Sequence, residues 1–172
     1  MNPHPHHFGT IPPVPEAQQS RANAFGKASL FSGLSERELG YLLDRVVPRS
    51  YSSGEIVFSE GEPCAGLYVV ESGSIRIFKS SSGGREQVLS IEGPGGSVAE
   101  LPVFDGGNYP ASVIAIQDTM LLFVSRQDIH GLCLAHPEVA LKFLRVVGAP
   151  ASEGYVAEGE WQVRPEEVTT TR

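Results

Sequence analysis

Gly54-Glu55-Ile56-Val57-Phe58-Ser59-Glu60-Gly61-Glu62-Pro63 is followed, after three residues, by Leu67-Tyr68-Val69-Val70-Glu71-Ser72-Gly73-Ser74-Ile75-Arg76-Ile77. Each apolar run is short, rich in β-branched and aromatic residues, and closed by a glycine. Such runs read as strands separated by tight turns. Working outward, strands are expected at residues 55–58, 67–70, 74–79, 87–91, 111–116 and 120–124. Gly54, Gly61, Gly66, Gly73, Gly83, Gly84, Gly93, Gly96, Gly106 and Gly107 mark the breaks between them. Strands spaced at about ten residues build an antiparallel sandwich or barrel rather than a parallel sheet with crossover helices.

Helices flank this β region. Ser35 and Glu38 have the spacing of a capping box, with Leu34 and Leu39 placed as a hydrophobic staple. Leu39, Leu42, Leu43 and Val46 then mark one helical face, which Pro48 stops. Ser125 and Asp128 open a second helix running to about Leu134. His136-Pro137-Glu138 opens a third that runs to Val147 and ends at Gly148, with Pro150 behind it. The domain is therefore placed at residues 30–148. Residues 1–29, with His4, His6, His7 and several prolines but no apolar period, read as a disordered lead. Residues 149–172 read as an acidic tail with no clear element beyond a short strand at residues 161–164, and with no helix-turn-helix.

Composition narrows the function. The 172 residues carry thirteen Lys and Arg against twenty Asp and Glu, a net charge of −7. This opposes unspecific binding to nucleic acid or anionic membrane, which needs a cationic surface. No apolar stretch is long enough to span a bilayer and no secretory signal is visible, so a cytoplasmic protein is expected. Cys64 and Cys133 are too few for a disulfide framework. No histidine occurs between His7 and His130, and no Ser-His-Asp set, P-loop or dinucleotide fingerprint is present. An enzyme is not expected.

The stretch 54–77 strongly resembles the cyclic-nucleotide-binding domain of CRP/FNR-type bacterial transcription regulators. Leu30-Phe31-Ser32-Gly33-Leu34-Ser35 before it, and Gly93-Pro94-Gly95 with Glu100-Leu101 after it, fit the same family in order and spacing. The resemblance covers about residues 30–147. It implies a mainly β fold, a jelly-roll-like antiparallel β-roll with flanking α-helices. It also implies a short phosphate-binding helix between two of the strands. Gly95, Gly96, Ala99, Glu100, Leu101, Tyr109, Ala111 and Ser112 fall on the ligand cassette, with Gly93–Gly96 as a loop whose amides cradle an anion.

Within that cassette the chain departs from its relatives. Cyclic-nucleotide binders carry Gly-Glu-Leu, a few residues, then Arg-Ser/Thr-Ala, in which the Glu holds the ribose and the Arg clamps the phosphate. Here Ala99 stands in the glycine's place, and Tyr109 or Pro110 in the arginine's. A charge-assisted fork contributes about 1.5–3 kcal/mol, and a phenol supplies one neutral donor. No binding of cyclic AMP or cyclic GMP at tens of micromolar is therefore expected, and Tyr109→Arg is the change expected to restore it. The wording Asn108-Tyr109-Pro110-Ala111-Ser112-Val113 looks more like the redox- and gas-sensing members of the family. Yet no cysteine precedes Cys64, so an iron–sulfur cluster is not expected. His130, Cys133 and His136 read as core and cap residues rather than metal or haem ligands.

The expected function is a regulatory sensor module with a diverged ligand site, no DNA-binding domain of its own, no cofactor and an unidentified small-molecule effector. The alternative is a domain that still binds a small anionic nucleotide through loop amides and Glu100. With the apolar seam of the last helix cut at Gly148, a monomer or weak homodimer is expected, and no direct contact with nucleic acid or membrane.

Overall fold

The computed structural model describes residues 15–149. His4, His6 and His7, and the strand expected at residues 161–164, lie outside the described residues. In chain order the elements are α1 (Glu16–Lys27), a 3-10 turn (Ser29–Phe31), α2 (Glu36–Leu43), β1 (Val47–Tyr51), β2 (Ile56–Phe58) and β3 (Gly66–Ser72). Then come β4 (Ile75–Ser80), β5 (Glu86–Glu92), β6 (Ser97–Val98), α3 (Glu100–Asp105), β7 (Ser112–Ala115), β8 (Thr119–Ser125), α4 (Arg126–Ala135) and α5 (Pro137–Val147). Two four-stranded antiparallel sheets form, in the orders β1-β8-β3-β6 and β2-β7-β4-β5. The expected β-roll with flanking helices is the fold.

β3 explains how the layers stack. Leu67, Tyr68, Val69 and Val70 are consecutive and all buried. Successive strand residues point to opposite faces, so a continuous apolar run needs cover on both. One face meets the second sheet, as the contact of Tyr68 with Phe58 shows, at a centroid separation of 5.6 Å. On the other side α1, α3 and α4 pack against the strand.

Two expectations are corrected. The disordered lead does not extend to residue 29, because residues 16–27 form α1 and Phe25 is fully buried against Phe31 at 4.8 Å. The helix contributes only Ala24 and Phe25 to the core, which is too narrow a stripe to show as an apolar period. Pro48, read as a stop signal, also lies inside β1, paired with Leu122. A proline lacks the amide that a central strand must donate, but β1 is the edge of its sheet and tolerates it.

The capping box on α2 is present with both of its bonds. The Glu38 amide donates to Ser35 Oγ at 3.3 Å, and the Ser35 amide donates to Glu38 Oε2 at 2.8 Å. The same carboxylate oxygen receives Lys142 Nζ from α5 at 2.6 Å, so one residue caps α2 and ties it to the last helix. The Lys142 hydrogen bond and the Ser35 amide hold the Glu38 carboxyl below the usual carboxylate range, against the effect of burial. A lowered folded pKa means that this contribution is complete above the unfolded value and is lost as pH falls through the folded one. Thermal unfolding followed from neutral to acid pH should therefore show Lys142→Met costing stability near neutrality and converging on the parent protein in acid. A constant difference across that range would contradict the ion pair's role.

Candidate functional site

The cassette lies between β6 and β7. β6 pairs with β3 through Tyr68↔Val98 and Val69↔Ser97, which fixes where α3 begins. Ala99 is the N-cap of α3 and takes φ 73°, the one positive φ outside glycine among the described residues. A left-handed backbone costs an L-residue about 1–2 kcal/mol, which is the physical reason a glycine suits this place. Glu100 opens α3 and its Oε1 accepts the Ser97 hydroxyl at 2.5 Å. Glu100 Oε2 has no hydrogen-bond or ion-pair partner among the described residues. Leu101 is partly exposed.

Gly95 and Gly96 do not act as the expected anion cradle. The Gly95 amide donates to Val70 O and the Gly96 amide to Gly93 O, both at 2.8 Å. Gly96 O in turn accepts from the Val70 amide at 2.8 Å. These bonds tie the loop to β3 and leave neither amide for a ligand. Gly95 also has φ 85°, and a methyl group there would lie 2.5 Å from Lys27 Cβ of α1. Its absent side chain serves packing and backbone geometry.

Tyr109 is the decisive residue. Its side chain points into the core and is 3% exposed. The ring stacks on Phe58 with centroids 3.8 Å apart. Its hydroxyl donates to Gly66 O at 3.0 Å and accepts the Ala65 amide at 3.2 Å. The backbone is equally committed, since the Tyr109 amide donates to Glu62 O and the Gly61 amide donates to Tyr109 O. Burial pushes the phenol's pKa up, so it stays protonated. Tyr109 is thus a clamp between the cassette and the β2–β3 loop, not a ligand donor. Ala111 is buried, and Ser112 Oγ accepts the Glu60 amide at 2.9 Å.

The eight sequence-derived residues divide around the roll. Gly95, Gly96, Ala99, Glu100 and Leu101 follow β3 and β6, whereas Ala111 and Ser112 lead along β7. Tyr109 reaches back to the start of β3. Sequence reading missed the bracing of α3 from α4. His130 Nε2 donates to Val103 O at 2.8 Å, and Arg126 lies over Gly106. The remoteness of residues 126 and 130 along the chain hid both contacts. Cys133 is half-buried, and His136 precedes α5 beside Glu138.

The sequence pattern of the family described as cyclic nucleotide-binding domain matches residues 48–136. That span runs from β1 through the cassette to the end of α4. The chain belongs to this family. It is 37% identical over 111 residues to the cyclic AMP receptor protein of Thermus thermophilus, covering 64% of this chain and 51% of that protein. It is 31% identical over 121 residues to a CRP-like cAMP-activated global transcriptional regulator of Mycobacterium tuberculosis, covering 70% of this chain and 54% of the relative. The chain thus spans about half the length of the curated relatives it matches. The N-terminal domain of a transcriptional regulator from Streptomyces coelicolor superposes with a TM-score of 0.66 at 30% identity, covering 73% of this chain and 87% of that one. Family membership places the β6–α3–β7 segment as the ligand region of the fold. Among the described residues no helix is long and apolar enough to cross a membrane.

Proposed function

We propose that this chain is a regulatory sensor module of the CRP/FNR type whose cyclic-nucleotide cassette has diverged. The single observation that carries the reading is the Tyr109 clamp. Where the resemblance puts a phosphate-binding arginine, the side chain is turned inward and its one hydroxyl is spent on Gly66 and Ala65. The glycine-loop amides are spent on β3 and Gly93. A phosphate would then leave water for a site without its charged partner, which is unfavourable. In this reading the module is not catalytic, and its effector is another small molecule.

Thermal unfolding tests this. A ligand at a hundred times its Kd stabilises a protein by about 2.7 kcal/mol. Millimolar cyclic AMP or cyclic GMP should leave the Tm unchanged, and a rise of several degrees would overturn the reading. A second reading rests on the unpaired Glu100 Oε2 and the amides of Glu100 and Leu101, which open α3 and have no intrahelical acceptor. On it the domain keeps a weak site for a hydroxyl-bearing anion, and Glu100→Gln would abolish any such shift. With its acidic balance, the purified chain should give no sequence-specific mobility shift of promoter DNA at moderate salt, and a base-sensitive complex at nanomolar protein would refute this.

A further inference from the structure

The last helix leaves an apolar ridge uncovered. Val139 and Phe143 of α5 face the core and are buried, with Phe143 against Phe31 and Phe104. On the opposite side Leu141 and Leu144, three residues apart and so on one ridge, are 60% and 63% exposed. Leu134, at the end of α4, is 83% exposed. Arg145 stands beside these leucines on the same exposed arc, with no carboxylate in ion-pair contact among the described residues. An apolar ridge beside an unpaired cation is suited to an occupant that is aromatic and acidic.

The chain carries such an occupant directly after the helix. Residues 158–164 read Glu-Gly-Glu-Trp-Gln-Val-Arg, with Trp161 and Val163 alternating with polar residues and Glu158 and Glu160 ahead of the ring. The twelve residues from Ala149 to Trp161 reach about 40 Å when extended, against a helix of about 16 Å, so the segment can lie back along all of α5. A buried tryptophan covers about 150–250 Å², enough for a two-leucine ridge. We infer that residues 158–164 dock on the Leu141–Leu144 ridge of their own chain, with Trp161 on the leucines and Glu158 or Glu160 toward Arg145. This inference is independent of the ligand reading above. The α5 face is then covered from within, where otherwise it offers a surface to a second molecule.

Trp161 is the chain's one tryptophan, so the fluorescence of the full chain reports this position alone. Its emission should lie to the blue of free tryptophan and be shielded from acrylamide, equally at low and high protein concentration. Leu141→Gln or Leu144→Gln should each weaken docking by about ten- to a hundredfold, moving the emission to the red and exposing the ring to quencher. Arg145→Glu should shift it in the same direction, and high salt should weaken the parent contact. All three positions are solvent-facing, so the far-UV circular dichroism should not change. Solvent-like emission in the parent chain would overturn the inference, as would buried emission indifferent to these substitutions. Emission that turns blue only as protein concentration rises, together with a dimer in sedimentation, would assign the ridge to a second copy and equally overturn it.

Discussion

Tyr109→Arg should unfold or gravely weaken the domain rather than give it a phosphate site. The side chain occupies a closed socket between Phe58, Cys64 and the start of β3, and two backbone groups depend on its hydroxyl. Removing a buried aromatic side chain costs about 3–5 kcal/mol, and an unpaired guanidinium in its place adds a desolvation penalty. Small domains hold only about 5–15 kcal/mol in total, so the loss is a large share of it. Tyr109→Phe keeps the stack and removes only the hydroxyl, leaving Gly66 O without its donor, and should cost about 1–3 kcal/mol. Urea unfolding of the two variants checks both figures. An arginine variant as stable as the parent would show that the side chain can turn outward, and the substitution would regain its place as a route to ligand binding.

The other large effect belongs to Gly73. This glycine closes the β3–β4 turn at φ 86°, and a methyl group there would sit 2.4 Å from Thr119 Oγ1 and 2.5 Å from Asp118 O. Gly73→Ala combines a left-handed backbone, costing about 1–2 kcal/mol, with a collision against backbone that cannot move aside. Thr119 is held in place because its hydroxyl accepts from the Ser74 amide and can donate to Ser74 O or Gln117 O. The expected total is about 3 kcal/mol or more. Gly61 provides the control, since it has a similar φ of 87° with nothing within 4 Å of an added Cβ. Gly61→Ala should therefore show only the backbone share, about 1–2 kcal/mol. Equal losses at the two positions, measured by chemical denaturation, would refute the crowding argument.

The β-roll was legible because its physics is local. A period of two, closed by glycines at residues 54, 61 and 73, depends on nothing distant in the chain. The Ser35–Glu38 capping box and the Pro137 start of α5 were readable for the same reason. α1 escaped because its core contribution is carried by Phe25 and a neighbouring alanine, and its burial needs Phe31 and β3 as partners. The cassette was legible as a position but not as a geometry. The spacing located Ala99, Glu100 and Tyr109, and the left-handed backbone at Ala99 agrees with the glycine that relatives place there. No pattern along the chain could show that the amides of Gly95 and Gly96 face other backbone groups, or that the ring of Tyr109 turns inward. Both depend on Val70 and Gly66, which lie some twenty-five and forty-three residues away in sequence.

Calorimetric titration of cyclic AMP into the purified chain tests the closed cassette most directly. A phosphate fork contributes about ten- to a hundredfold in affinity, and here its position is filled by a phenol that binds the protein's own backbone. The account predicts no binding heat at tens of micromolar ligand and protein. A saturable isotherm with micromolar or tighter affinity would contradict it, and would mean that the Tyr109 clamp opens or that another donor takes the phosphate.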